Sequence, residues 1–204
     1  MIVLPTIVIV PFVAGLACLL VPERWRGGRK LAVFLVAAYC LLPSGREFLR
    51  VLADGSCPVL LRVQGFLVFA AAVFGFLIAL YSERFTASGA EGRLYDASLL
   101  FSLGAAFGVL SAPDALVLLF FWGILGAATY LLIASGGPAA APAAKKAFIV
   151  VGGSDAFLLL GVLLLSRAPS LPLALDGAGE WWRTVAFVCF LIAALAKMGA
   201  VPLH

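Results

Sequence analysis

The sequence has few charged residues, one histidine and no clustered cysteines. Charged residues make up 12% of the chain, about half the share in soluble domains. The single histidine is His204, and the four cysteines (Cys18, Cys40, Cys57 and Cys189) are separated by 22, 17 and 132 positions. These spacings exclude the usual patterns for zinc, haem or iron–sulfur ligation, so we expect no cofactor. Cys18, Cys40 and Cys189 are predicted to be small apolar residues within helices.

Apolar residues dominate instead. They form 64% of the 204 residues, and the mean hydropathy is +1.16. A soluble domain of this length could not remove so much apolar surface from water. The apolar runs approach the roughly 20 residues that cross a bilayer as a helix, and they lack the alternation of barrel strands. The sequence therefore predicts an all-α integral membrane protein. The net charge of +4 is assigned to membrane topology, and no nucleic-acid partner is expected.

Seven transmembrane helices are predicted. They are Ile2–Val21, Leu31–Leu42, Val63–Tyr81, Ala97–Leu110, Ala115–Ala134, Lys145–Ser166 and a last one from about Arg183. The first lacks a basic region and a cleavage site, so it is predicted to be an uncleaved helix and not a signal peptide. Pro43 is expected to end the short second span, with an interfacial helical turn after it. Asp114 is predicted to cap the fifth helix.

The basic residues predict the orientation of the chain. The loops after spans one, three and five carry eight Lys and Arg residues, whereas the opposite side carries five. Cytoplasmic loops are enriched in Lys and Arg. We therefore expect the N-terminus outside and the loop between spans five and six in the cytoplasm.

Two ionisable residues, Asp155 and Lys197, fall deep inside apolar spans. By helical rise, Asp155 lies about 13 Å from the cytoplasmic face, and Lys197 lies about 9–10 Å from it. Their similar depths allow an ion pair if the two helices are neighbours. Charged residues at such depths are typical of an ion path. The alternatives are that Lys197 snorkels or bonds a neighbouring helix, and that Asp155 only supports helix packing beside small residues.

Other features are less specific. Lys145 and Lys146 are typical of a cytoplasmic anchor at a helix start. Gly199 and Pro202 are predicted to break the seventh helix, and breaks of this kind often mark transport sites. His204 could relay protons, since its reference pKa is near neutral.

Four ordered blocks resemble a known family. They are residues 120–133 (FFWGILGAATYLLI), 144–149 (AKKAFI), 153–161 (GSDAFLLLG) and 194–204 (ALAKMGAVPLH). Together they resemble the antiporter-like, proton-translocating membrane subunits of respiratory complex I. The same module occurs in Mrp-type cation/proton antiporters and membrane-bound hydrogenases. The resemblance covers about residues 60–204.

The resemblance implies a fold and a set of site residues. Family members have about fourteen helices in two inverted repeats, each with a broken helix, and move protons along a row of lysines and glutamates. Lys197 matches the central lysine of the broken seventh helix, with Pro202 in the break. Lys145 or Lys146 matches the lysine that begins the sixth helix, and Asp155 matches a recurrent aspartate in it. The implied location is a prokaryotic inner membrane.

The sequence departs from the family in two ways. The family glutamate just after the Phe-Trp pair is replaced by Gly123. The chain also ends before an eighth helix, so we expect a truncated or split subunit that is one half of the full module. Residues 1–59 are predicted to form two N-terminal membrane helices, and residues 60–204 a partial antiporter-like domain.

Three functions follow as hypotheses. The first is a non-catalytic subunit of an NADH dehydrogenase-like or hydrogenase-like translocase, which moves protons or sodium ions while other membrane subunits carry electrons. Asp155 would replace the missing glutamate as the counter-charge of Lys197. The second is a structural scaffold subunit whose ion path has decayed, as Gly123 suggests. A stand-alone antiporter is disfavoured because the second repeat is missing.

Overall fold

The computed structural model describes residues 3–82, 89–166 and 181–199, and every regular element within these ranges is helical. This confirms the predicted all-α class. The seven α-helices are α1 (Val3–Leu20), α2 (Arg26–Ala53), α3 (Val59–Ser82), α4 (Ala90–Leu110), α5 (Ala115–Ala134), α6 (Ala141–Ser166) and α7 (Trp181–Lys197), and short 3₁₀ turns cover Glu23–Trp25 and Pro138–Ala140.

Five segments of the described chain are long and apolar enough to cross a bilayer. They contain α2, α3, α4, α5 and α6. The first and last helices along the chain are shorter: α1 has 18 residues and α7 has 17. At about 1.5 Å per residue, α7 reaches about 25 Å, slightly less than the hydrocarbon thickness of a typical bilayer.

The prediction that Pro43 ends the second helix is wrong. Helix α2 continues through Pro43 to Ala53 as one 28-residue helix. Its buried residues recur at helical spacing on both sides of the proline, from Arg29 to Ser44. The Ser44 hydroxyl donates to the Cys40 carbonyl at 2.6 Å. Proline is tolerated inside membrane helices where local bonds and neighbouring helices compensate for it. The buried stripe ends at Ser44, and beyond it Phe48 stacks on Phe69 of α3 with 5.5 Å between ring centroids.

Other helices begin earlier than predicted. Helix α4 starts at Ala90, although the polar residues up to Asp96 were expected to form a loop. Asp96 is only 2% exposed. Its carboxylate can be buried because an arginine neutralises its charge, as described below. Helix α6 starts at Ala141 instead of Lys145. Helix α5 has the predicted bounds, and the Asp114 carboxylate accepts from the Val117 amide at 2.8 Å, which confirms the predicted cap.

The chain divides into two compact units, Met1–Ala144 and Lys145–His204. Within the first unit, α4 is the central helix, packed against α1, α3 and α5. The two glycines of the Gly104-x-x-x-Gly108 pair serve different neighbours. A Cβ on Gly104 would lie 3.0 Å from the Phe12 ring of α1, and one on Gly108 would meet the Phe121 ring of α5. Small residues here allow close helix packing. The division of the chain into residues 1–59 and residues 60–204, which was made from the sequence, stays a prediction.

Three connections of the first unit meet at one end of its helices. The Glu23 carboxylate accepts from the Gly89 amide at 3.0 Å, which joins the α1–α2 and α3–α4 connections. A Cβ on Gly137, after α5, would lie 3.0 Å from the Glu91 carboxylate in the first turn of α4. At the opposite end, the Gln64 amide donates to the Leu110 carbonyl at 2.6 Å. The connections that follow helices α1, α3 and α5, which the sequence predicts on one side of the membrane, thus lie together at one end of the first unit.

Candidate functional site

Lys197 and Asp155 form an ion pair in the second unit. The Lys197 Nζ lies 3.9 Å from the Asp155 Oδ1. This separation is within ion-pair range but too long for a direct hydrogen bond between these two atoms. The side chains are 14% and 31% exposed, respectively. The sequence allowed this pair by depth alone, and the structure shows that the two residues lie together.

The pair forms because α6 and α7 are antiparallel neighbours. A Cβ on Gly161 would lie 2.9 Å from the Phe190 ring, so the missing side chain of Gly161 admits this ring against α6. Asp155 precedes Gly161 by six residues, and Lys197 follows Phe190 by seven. Both intervals correspond to about 9–10 Å of helix, which brings the two charges to the same level.

Helix α7 ends at Lys197. The Met198 amide still donates to the Ala194 carbonyl, but Gly199 takes a positive φ of 66°. Glycine adopts this left-handed conformation readily, and it is common directly after helices. Lys197 therefore places its charge at a helix C-terminus, where a cation is stabilised by the helix dipole. Pro202 and His204, the other predicted residues of the break and path, lie outside the described residues.

Lys145 and Lys146 are both exposed and lie in the second turn of α6. The structure does not bring them to the ion pair. Lys146 precedes Asp155 by nine residues, or two and a half helical turns, so these two residues point to opposite sides of α6. Lys145 lies about 80° around the helix from Asp155. Their predicted part in an ion path stays a prediction.

Gly123 is exposed on α5. No atom of the described chain lies within 4 Å of a Cβ placed there, apart from the helix's own backbone and the adjoining residues. Within the first unit, the glycine is therefore not required by close packing. A larger side chain would fit there, so packing in this unit does not explain why Gly123 stands where the sequence resemblance implies a glutamate.

The sequence analysis missed a second, more buried charge cluster in the first unit. The Arg29 Nε donates to the Asp96 Oδ2 at 2.7 Å, and its Nη1 donates to the Glu23 Oε2 at 3.2 Å. The Arg29 and Asp96 side chains are 0% and 3% exposed. The arginine thus joins the start of α2 to α4, whereas Glu23 also binds the backbone before α4.

By sequence, Arg29 is assigned to topology alone, as one of the basic residues in the loop after the first span. A signal for this cluster is nevertheless present, because Asp96 directly precedes an apolar run and Arg29 lies near the end of the basic loop before the second span. Both residues were therefore expected at the same side of the membrane. One Arg29 nitrogen, Nη2, is buried without a hydrogen-bond partner, so the cluster is tightly packed but not fully satisfied.

The described residues contain no group of three His, Cys, Asp or Glu side chains that could hold a metal ion. Cys18, Cys40 and Cys189 are unpaired and buried, as predicted for small apolar helix residues. Ion pairs are therefore the main polar features of the part of the chain that the structure describes.

Residues 112–204 match the family described as NADH:quinone oxidoreductase/Mrp antiporter, TM. The match begins later than the position near residue 60 where the sequence resemblance was placed, and it includes α5, α6 and α7. A comparison with curated proteins found no match. The family domain belongs to multi-subunit membrane complexes, and together with the apolar helices it supports an integral membrane protein. Residues 112–204, slightly less than half of the chain, are therefore similar to the transmembrane domain of the NADH:quinone oxidoreductase/Mrp antiporter family.

Proposed function

We propose that this chain is a membrane subunit that contributes to proton or sodium translocation in a redox-driven complex. The observation that carries the proposal is the 3.9 Å separation of Lys197 and Asp155 on neighbouring helices. Charged residues within membrane helices are costly and commonly mark ion pathways. The family match over α5 to α7 supports the same conclusion.

In this proposal, Asp155 takes the role of the family glutamate, whose position in this chain is occupied by Gly123. Its carboxylate neutralises Lys197, with 3.9 Å between the Lys197 Nζ and the Asp155 Oδ1. Lysine has a single charge on a flexible stem, so its ammonium can move away from the carboxylate when another charge approaches. Lys197 would hold and pass on positive charge, and Asp155 would stabilise it between transfers. Electron transfer would take place in other subunits of an NADH:quinone oxidoreductase-like or hydrogenase-like complex.

The test measures ion translocation by the assembled complex in vesicles, with electron transfer recorded in parallel. Lys197→Ala and Asp155→Asn should each reduce ions moved per electron by about ten-fold, because each change leaves one charge without its partner. Lys197→Arg keeps the positive charge but replaces a group that can lose its proton with one that stays protonated. It should therefore fail in proton transfer although it preserves the ion pair.

The matched control is Arg24→Gln, which removes one exposed basic residue of the first unit. It should leave the ratio of ions to electrons unchanged. Near-normal translocation by Asp155→Asn would refute the counter-charge role of Asp155. Normal translocation by all three variants, with normal assembly, would refute the translocation proposal as a whole.

A second candidate function is a structural scaffold subunit with a decayed ion path. The specific observation in its favour is Gly123, since the family carboxylate is missing at a position where a side chain would fit. A scaffold predicts that Lys197→Ala leaves cation coupling unchanged while the complex assembles normally. The same vesicle measurement therefore distinguishes the two functions.

We further propose that the end of the first unit that contains Glu23 and Gly89 faces the cytoplasm of a prokaryotic cell. The basic residues of these connections support this orientation. Single cysteines in a background without native cysteines would test it with a membrane-impermeant thiol reagent. A cysteine at Arg24 should react only after the inner membrane is opened, and one at exposed Gly55 should react in intact spheroplasts. The reverse pattern would contradict the proposal.

A further inference from the structure

A pocket of about 130 Å³ lies between α1, α2 and α3 of the first unit. Its apolar wall includes Ile7 from α1, Val51 from α2, and Leu61 and Val68 from α3. The pocket is far along the chain from both ion pairs described above. It is a candidate for a ligand with an apolar portion, because most of its lining side chains offer no hydrogen bond.

Three polar side chains line the pocket, and two of them are already engaged. The Ser44 hydroxyl donates to the Cys40 carbonyl at 2.6 Å, and the Gln64 amide donates to the Leu110 carbonyl at 2.6 Å. The third is Glu47, whose carboxylate lies 3.9 Å from the Arg50 guanidinium. The Glu47 side chain is 37% exposed and that of Arg50 is 76% exposed. The pocket thus combines an apolar interior with the Glu47 carboxylate in its lining, and Arg50 lies beside Glu47 on the same helix.

The pocket lies near the end of its helices. Glu47 is six residues, or about 9 Å, from the end of α2, and Leu61 is in the first turn of α3. The 28 residues of α2 extend about 42 Å, which exceeds the hydrocarbon thickness by about 12 Å. Glu47 and Arg50 are therefore expected at the level of lipid headgroups, with the apolar wall extending toward the acyl chains.

The loop below the pocket is ordered by its own hydrogen bonds. The Asp54 carboxylate accepts from the Ser56 hydroxyl at 2.6 Å and from the Ser56 amide at 3.0 Å, and these bonds hold the pKa of Asp54 below its usual value. The Arg62 guanidinium donates to the Gly55 carbonyl at 2.9 Å. These bonds engage Asp54 and Arg62 within the loop, so Glu47 and Arg50 remain the charged pair beside the pocket.

We propose that this pocket binds one acyl chain of an amine-bearing zwitterionic phospholipid of the phosphatidylethanolamine type. The lipid ammonium would pair with Glu47 and the lipid phosphate with Arg50. This lipid fits the two side chains because its zwitterionic headgroup carries a positive and a negative group next to each other. An anionic phospholipid without an amine would offer the same phosphate to Arg50 but no cation to Glu47.

The test is native mass spectrometry of the full chain in detergent, titrated with phosphatidylethanolamine or phosphatidylglycerol of the same acyl chains. We expect one tightly held lipid and about a five-fold preference for the amine-bearing lipid, as expected for one partly exposed ion pair of about 1 kcal/mol. Equal binding of both lipids, or a preference for phosphatidylglycerol, would overturn the proposal.

Two variants test the headgroup contact and the acyl-chain contact of the site separately. Glu47→Gln should remove the headgroup preference but leave lipid binding itself in place. Its control is Glu91→Gln, an exposed carboxylate at the other end of the unit, which should change nothing. Val51→Trp should fill the pocket and remove the tightly held lipid, whereas Val13→Trp on the exposed surface of α1 should not. An unchanged preference in Glu47→Gln would overturn the headgroup assignment.

A third measurement does not depend on whether Val51→Trp folds. A phosphatidylethanolamine with a photoreactive acyl chain should label peptides that contain Val51 or Leu61 in the unaltered chain. Labelling elsewhere, or protection of these peptides by another subunit in the assembled complex, would show that the pocket holds a different occupant and overturn the proposal.

Discussion

Each unit contains an ion pair between two of its helices, but the two pairs differ in length and burial. In the first unit, the Arg29 and Asp96 charges are 2.7 Å apart, with side chains 0% and 3% exposed. In the second, the Lys197 and Asp155 charges are 3.9 Å apart, with side chains 14% and 31% exposed. The first pair is short and closed, and the second is longer and more accessible.

This difference separates a structural pair from a pair suited to exchange. The planar guanidinium of Arg29 binds two carboxylates at once and connects α2 with α4, which fixes the relative position of these helices. The ammonium of Lys197 is a single charge at a helix end beside a more exposed partner. Charges buried as deeply as Arg29 and Asp96 cannot separate without a large cost, whereas the Lys197 and Asp155 charges are farther apart and less enclosed by protein, so their separation should cost less.

The largest expected effect is from Arg29→Ala. This change leaves the Asp96 carboxylate buried without its cation, which should lower the free energy of unfolding by about 3 to 5 kcal/mol. For a chain of this size, the melting temperature in detergent should fall by on the order of 10 °C. Thermal unfolding followed by circular dichroism measures this. Exposed Arg24→Ala is the control and should change little, and an equally small change in Arg29→Ala would contradict the structural role.

The second-largest expected effect tests whether the loss of stability in Arg29→Ala comes from the unpaired charge of Asp96. Arg29→Met combined with Asp96→Leu removes both charges and keeps apolar volume in the site. Because replacing a whole buried pair is often neutral, the double variant should be more stable than either single variant by at least about 1.5 kcal/mol. The melting temperatures of the unaltered chain, the two single variants and the double variant form a double-mutant cycle. Additive losses would show that the two charges act independently.

The sequence predicted the membrane class, the bounds of α5 and the residues of the second pair, because these depend on local features. Long apolar runs specify spans, Asp114 caps its own helix, and a lone lysine in an apolar run stands out. The course of α2 past Pro43 depends on packing by a buried stripe that contacts distant residues. The Arg29 cluster was missed for a related reason, since its members lie on three separate segments and each has an ordinary explanation by itself.

A smaller effect on stability is expected from the second pair. Lys197→Ala and Asp155→Asn should each lower the free energy of unfolding by roughly 1 to 3 kcal/mol, between the values for exposed and fully buried pairs, because this pair is longer and less enclosed by protein. Thermal unfolding of the same purified chain measures this beside the Arg29 variants. A loss as large as that of Arg29→Ala would remove the distinction between the two pairs. Loss of translocation with retained stability would sharpen it.

The smallest effect is expected from Arg50 and Glu47, which form a third ion pair with the same 3.9 Å separation as Lys197 and Asp155. The Arg50 side chain is 76% exposed, so Arg50→Gln should change the free energy of unfolding by no more than about 0.5 kcal/mol. It should also leave ion translocation unchanged in the vesicle assay. The two pairs share this distance but differ in location and exposure, so the comparison tests whether a charged pair contributes to translocation only where it lies between two membrane helices. Equal loss of translocation in Arg50→Gln and Lys197→Ala would show instead that both changes act through general charge.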